Sequence, residues 1–178
     1  MPAAFVRHAT LADASGIGLG HVRSWQSAYR GKVPQDYLDG LDPAGRSQVW
    51  RRIIEAADPS RGGVLVAVAE GWIVGFADFG PSRDSDADPQ VTGEVFAIYA
   101  DPDAWGTGAG RALMGSAVAE LARLGYADAS LWVLDANDRA RRFYARAMGA
   151  AASASPRSAT EGRSTLSPGT AASRGERR

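Results

Sequence analysis

The chain has 178 residues, of which 45% are hydrophobic and 22% charged, with a formal net charge of zero. That is enough for one domain with a real core, and it offers no global field that would favour nucleic acid or an anionic membrane. The absence of cysteine excludes disulfides, thiolate metal sites and a cysteine acyl-enzyme, and two separated histidines, His8 and His21, argue against a histidine-rich metal site.

Ala4 to His8 reads as a short strand. Thr10 can cap a helix, with Asp13 three residues on as a weaker partner. The helix continues through Ile17, His21, Val22, Trp25 and Tyr29, although Gly16, Gly18 and Gly20 weaken its first turns. Asp36 to Leu41 reads as a second short helix. Pro43 opens a third, with Val49, Trp50, Ile53 and Ile54 inward. Two strands follow, from Val64 and from Trp72, joined tightly at Gly71 as a hairpin requires. Ser82 to Gln90 is a polar loop rich in aspartate. Thr92 to Ala100 is a strand, and Gly108 to Leu124 a helix with Leu113, Val118, Leu121 and Leu124 as its stripe. Ala129 to Leu134 reads as a buried strand, and Ala136 to Met148 as the last helix.

After Gly149 the composition changes. From Ala150 to Arg178 the only large aliphatic residue is Leu166, and aromatics are absent. Such a segment cannot bury enough surface to offset its ordering entropy. The expected division is a folded domain over 1–149 and a disordered low-complexity tail over 150–178. No apolar run approaches the roughly 20 residues of a membrane span, so the expected location is the cytoplasm, with neither membrane nor nucleic acid as partner.

Two segments carry chemistry. The first is Trp105-Gly106-Thr107-Gly108-Ala109-Gly110, between a strand and a helix. Glycines let a backbone approach a ligand closely, and a helix N-terminus offers unpaired N–H groups and a positive dipole end. A pyrophosphate suits such a turn, which is equally a helix start packed tightly. The second is Asn137, Ala140 and Tyr144, spaced three and four apart and so on one helical face. Tyr144 alone could be a core aromatic. A dinucleotide-binding turn is disfavoured, because Gly106 and Gly108 are followed by Arg111, and Gly108 and Gly110 by Leu113, where a third glycine is needed.

Together these segments resemble the GCN5-related N-acetyltransferases, the GNAT family. The family's acyl-CoA loop, (Gln/Arg)-x-x-Gly-x-(Gly/Ala), corresponds to Trp105 through Gly110, after Asp101-Pro102. Its later segment, Asn-x-x-Ala-x-x-Phe-Tyr-x-x-x-Gly, is matched by Asn137, Ala140, Phe143, Tyr144 and Gly149, with one extra residue before that glycine. The stretch from His21 to Leu41 also resembles small bacterial members, so the likeness covers about Phe5 to Gly149. There are two departures. Trp105 stands where Gln or Arg is usual. The aromatic residue and two strands that end the family's sheet have no counterpart after Gly149, through a divergent or frame-shifted end. The expected fold is therefore α/β, a mixed and mostly antiparallel sheet flanked by helices, with its C-terminal strand pair missing.

The resemblance implies acetyl transfer from acetyl-CoA to a primary amine of a small molecule or peptide. Without cysteine, direct attack in a ternary complex is favoured over a thioester enzyme. Tyr144 is implied as the acid for the departing thiolate. Glu94 is a candidate base, directly or through water, or else an exposed strand-end carboxylate. Ile98 and Ala100 would pair with the pantetheine arm, Trp105 to Arg111 would hold the phosphates, and Asn137, Ala140 and Phe143 would complete the cofactor site; no metal is expected. His21, Trp25 and Tyr29 recur on one helix face and could line an acceptor pocket, or could pack on the sheet. A homodimer remains open, and so does a non-catalytic reading: a degenerate acyl-CoA-binding module or a marginally folded remnant.

Overall fold

The computed structural model describes residues 4–134, 137–148 and 154–159. The strands are β1 (Phe5–His8), β2 (Gly63–Ala69), β3 (Trp72–Pro81), β4 (Thr92–Ala100), β5 (Asp128–Leu134) and β6 (Ala154–Ala159). The helices are α1 (Ala14–Ala28), α2 (Gln35–Asp39), α3 (Pro43–Ala56), α4 (Ala109–Arg123) and α5 (Asp138–Met148). The strands form one sheet in chain order, β1-β2-β3-β4-β5-β6. β1 to β4 are antiparallel neighbours, while β4–β5 and β5–β6 are parallel. A parallel neighbour needs a crossover, and α4 supplies it between β4 and β5.

The fold class expected from the sequence is found, with one correction. The composition after Gly149 predicts no strand, yet β6 pairs with β5 from Ala129↔Ala154 to Leu134↔Ala159. A ladder is built from main-chain groups, so an open edge can be filled by a segment poor in apolar side chains, and an edge strand tolerates a proline such as Pro156. The rest of the tail lies outside the described residues, as do Ala136 at the expected start of α5 and the motif glycine Gly149.

Alternation along the strands builds two cores. Leu65, Ala77, Phe79, Val95, Leu131 and Val133 face α4 and α5, where Leu113, Ala117, Leu121 and Tyr144 meet them. Val64, Val66, Phe76 and Ala97 face α1 and α3, against Ile17 and Trp50. Of the α4 stripe read from the sequence, Leu113 and Leu121 are buried, and Val118 and Leu124 pack at the margin. Asp42 caps α3, accepting hydrogen bonds from the backbone N–H of Ala44 and Gly45.

The register changes once in the middle of β4. Asp78 of β3 pairs with Ala97, but its neighbour Phe79 pairs with Val95. Phe96 is therefore an extra residue, a β-bulge, and it turns the alternation of β4 by one step. The same place ends the parallel ladder: β4 and β5 pair from Thr92↔Asp128 only to Val95↔Leu131. Beyond it β4 continues to Ala100 without β5 beside it, so the sheet opens.

At the centre of the α1 face lies His21, fully buried. Its ring stacks on Trp25, Phe76 and Tyr99 at centroid distances of 5.6, 5.7 and 5.2 Å. Its Nδ1 accepts a 3.0 Å hydrogen bond from the Trp50 indole N–H. Burial, with some help from Arg46, pushes its pKa from 6.5 down to about 3. The unfolded chain therefore binds one more proton here between these two values. The His21 contribution to stability is present above pH 6.5 and is lost as pH falls toward about 3. The expected slope is about 1.4 kcal/mol per pH unit within that window. Denaturant melts of the wild type and His21→Phe across it should show the variant with the shallower acid loss; parallel curves would contradict the assignment.

The helix-weakening glycines of α1 have a packing reason at Gly18. A Cβ there would lie 2.6 Å from the backbone N and 2.8 Å from the Cα of Ser47 in α3. Main-chain atoms cannot swing aside, so Gly18→Ala should destabilise by roughly 1–3 kcal/mol despite its better helix propensity. A thermal melt of the variant checks this, and a raised Tm would refute the close-approach account.

Candidate active site

The opening of the sheet is also the mouth of a cavity of about 520 Å³. Its walls come from β4, the turn before α4, β5, α5 and the end of α1. The wall along β4 is polar. Asp101 donates its N–H to the Val74 carbonyl, so Asp101 and Val74 are a hydrogen-bonded pair across β3–β4. Antiparallel pairs alternate, and Ala100 and Ile98 therefore turn their N–H groups away from β3 and toward the opening. The Ala100 carbonyl on that side is occupied, accepting from Ser24 Oγ at 3.0 Å and Trp105 Nε1 at 2.9 Å.

At one end sits the glycine turn. Gly106 and Gly108 have φ of 81° and 97°, and a Cβ at either would meet nothing within 4 Å. It is the left-handed backbone that calls for glycine here, not space. Gly108 precedes the first residue of α4, so the helix N-terminus opens at the cavity. Gly110 packs near the Phe143 ring. Thr107 braces the turn, its hydroxyl donating to the Ala104 carbonyl at 2.7 Å, and Ala109 is buried in the core. Four arginines, Arg111, Arg139, Arg142 and Arg146, line the same cavity. Arg139 lies over the Trp105 ring, 3.8 Å from its centroid. The tryptophan that replaces the polar residue of the motif thus carries a guanidinium on its face.

Three phenols join these walls. Tyr29, Tyr99 and Tyr144 all line the cavity. Burial, reinforced by Tyr29, pushes the Tyr144 pKa well above the ordinary phenol range. Burial likewise raises Tyr99, with Tyr29 and Tyr144 adding to it, and raises Tyr29 against the opposing hydrogen bonds of Tyr99 and Asn137. The ionised forms are disfavoured, so these groups stand protonated as donors. Asn137 lines the cavity and caps α5, its Oδ1 accepting from the Ala140 N–H at 3.2 Å.

The structure thus brings together Ile98, Ala100, Trp105, Gly106, Gly108, Gly110, Arg111, Asn137, Ala140, Phe143 and Tyr144 from the sequence-derived set. The aromatic stripe divides: Tyr29 reaches the cavity, while His21 and Trp25 are buried in packing. Glu94 is not the exposed carboxylate that was one reading of it. It is 2% exposed and held by Arg83, whose backbone N–H donates to one oxygen at 2.9 Å and whose guanidinium donates to the other at 2.7 Å. It does not line the cavity. Sequence reasoning missed Ser24, Phe96, Tyr99 and the α5 arginines. The density of arginine in DRARRFYARAM was a visible signal; the Phe96 bulge was not.

Among the described residues no helix is long and apolar enough to cross a membrane, and no cluster of His, Cys, Asp and Glu could hold a metal ion.

Residues 22–150 match the acetyltransferase (GNAT) family. An uncharacterized N-acetyltransferase of Bacillus subtilis (strain 168), YuaI, is 35% identical over 133 residues, covering 74% of this chain and 72% of that protein. A mycothiol acetyltransferase of Propionibacterium freudenreichii subsp. shermanii is 38% identical over 91 residues, 51% of this chain but only 28% of its own length. Among solved structures, the PaiA N-acetyltransferase of Thermoplasma acidophilum in complex with coenzyme A aligns with a TM-score of 0.65 at 17% identity, over 81% of this chain and 87% of that one. The Salmonella typhimurium protein YncA, solved with its cofactor acetyl-CoA, aligns with a TM-score of 0.61 at 24% identity, over 80% and 77%. These two likenesses concern the fold.

Proposed function

This chain belongs to the GNAT acetyltransferase family, and on that premise we propose that it transfers acetyl from acetyl-CoA to a primary amine of a small molecule or peptide by direct attack in a ternary complex. The observation that carries the proposal is the opened sheet. The parallel ladder stops at Val95↔Leu131, and the N–H groups of Ile98 and Ala100 face the gap beside a glycine turn and three protonated phenols.

The donor set fits acetyl-CoA. The glycine turn and the first N–H groups of α4, with Arg111 and Arg139, would hold the phosphates. The free edge of β4 would pair with the amides of the pantetheine arm as a strand would. Bound there, acetyl-CoA supplies an acetyl group activated as a thioester. Tyr144, protonated because its ionised form is disfavoured by burial, would donate to the negative charge that develops on sulfur. Its raised pKa favours a strong hydrogen bond over complete proton transfer. Glu94, with both oxygens engaged by Arg83, would brace the loop after β3. The location in this reading is the cytoplasm, where acetyl-CoA and amines meet.

A thermal melt tests the first half of the reading. At 100 times its dissociation constant, acetyl-CoA should stabilise the fold by about 2.7 kcal/mol, and Arg139→Ala should need more ligand for the same shift. No shift at saturating acetyl-CoA would remove the proposal. The second half rests on Tyr144. Tyr144→Phe should lower kcat roughly 100-fold while leaving acetyl-CoA affinity nearly unchanged. Unchanged kcat would take Tyr144 out of the mechanism. A wild-type protein that binds acetyl-CoA yet acetylates none of a broad amine panel would instead favour an acyl-CoA-binding module.

A further inference from the structure

A second cavity, of about 510 Å³, lies on the α3 side of the sheet. Ile53, Arg61, Asp78, Arg83 and Phe96 are among its walls. Phe96 and Ala97 border this cavity and the first one as well, so the bulge is the partition between them. Asp78 sits opposite Ala97 in the β3–β4 register, at the step where the bulge begins.

The charges around Asp78 are arranged unevenly. Arg83 forms an ion pair with Glu94 at 2.7 Å and lies over the Phe96 ring, 4.0 Å from its centroid. Arg61 is on the chain beside Asp58, which holds the backbone N–H and hydroxyl of Ser60. Among the described residues no cation forms an ion pair with Asp78. Desolvation pushes its pKa from 3.8 up to about 7, with Arg83 and the Phe79 N–H opposing and Glu94 adding to the rise. Two guanidinium groups, of Arg61 and Arg83, line this cavity with Asp78; Arg83 is engaged by Glu94, and neither forms an ion pair with the Asp78 carboxylate.

We propose that this second cavity is the acceptor site, taking a primary alkylammonium whose charged head meets the Asp78 carboxylate and whose carbon chain lies against Ile53 and Phe96. The inference rests on the acetyl-transfer reading. It gives that reading an acceptor class and a proton acceptor. The step is a simple exchange: an N–H bond of the ammonium breaks, an O–H bond forms on Asp78, and the nitrogen keeps the electron pair it needs to attack. A carboxyl near 7 is better matched to an alkylammonium of about 10.4 than one near 3.8, because the transfer is less uphill. The amine would then be freed beside Ala97, which pairs with Asp78 in the register and also borders the first cavity. The aromatic stripe of α1 offers no comparable space, since His21 and Trp25 are closed into the core.

The test is an NMR titration of the ¹⁵N-labelled full chain with n-butylamine as probe and with acetyl-CoA, separately and together. Butylammonium is expected to shift the amides of Gly62, Gly63, Gly80 and Phe96, and acetyl-CoA those of Gly106 to Arg111. Lowering the pH from 7.5 to 5.5 protonates Asp78 and should weaken butylammonium binding roughly twenty-fold, a readout that needs no variant. Asp78→Asn should abolish the butylammonium shifts and spare the acetyl-CoA shifts, while Glu55→Gln, an exposed charge on α3, should change neither. Butylammonium moving no amide, moving those around Tyr29 instead, or binding Asp78→Asn as well as wild type would overturn the proposal. Acetyl-CoA leaving the glycine-turn amides unmoved would overturn the transfer reading, and the acceptor role with it.

Discussion

The structure turns on one interrupted ladder. β4 and β5 begin as ordinary parallel partners and part after Val95↔Leu131, at the place where Phe96 is inserted against β3. An unpaired main-chain group costs roughly 1–3 kcal/mol when it is buried away from water. An opened sheet is therefore tolerable only where the gap admits solvent or a ligand with matching groups. The cavity at the opening meets that condition, and the α4 crossover that makes β5 parallel also delivers a helix N-terminus to its rim. Crossover and break thus converge on the same cavity.

The electrostatics are local, since the chain as a whole is neutral. Backbone dipoles at the start of α4 and the arginines of α4 and α5 bring positive charge to the first cavity. Trp105 brings a guanidinium to the turn without carrying a charge of its own. The indole N–H is tied to the Ala100 carbonyl, and its face carries Arg139 from another helix.

The parts of the fold legible in the sequence were those with a strong period or punctuation. The glycine turn, the stripe of Leu113 and Leu121, and the Asn137–Ala140–Tyr144 face lie where their spacing put them. Period alone cannot reveal a single inserted residue, so the Phe96 bulge stayed hidden. With it went the true setting of Glu94, which reads as a strand-end carboxylate until Arg83 is seen folded back onto it. Asp78 was overlooked for a related reason: inside WIVGFADFG it looks like the polar position of an alternating strand, and only packing shows it desolvated. His21 was legible as part of a stripe, but not as a neutral ring held by Trp50. β6 was illegible because its pairing is made by main chain, to which composition is blind.

The bulge has a further effect on how charge is divided. Val95 faces α4 and Ala97 faces α3, so two odd-numbered neighbours along β4 lie on opposite sides of the sheet. Without the inserted Phe96 they would share a face. The insertion therefore lets a short stretch of one strand serve both cavities: four arginines line the first, while the second holds Asp58 and Asp78 together with Arg61 and Arg83, the last already paired with Glu94. In the proposed reaction an anionic donor and a cationic acceptor must come within bonding distance without sharing a binding surface. Opposite faces of a sheet meet the second demand: in that reading the donor would face the arginines of the first cavity and the acceptor Asp78 in the second, with Phe96 and Ala97, which border both, between them.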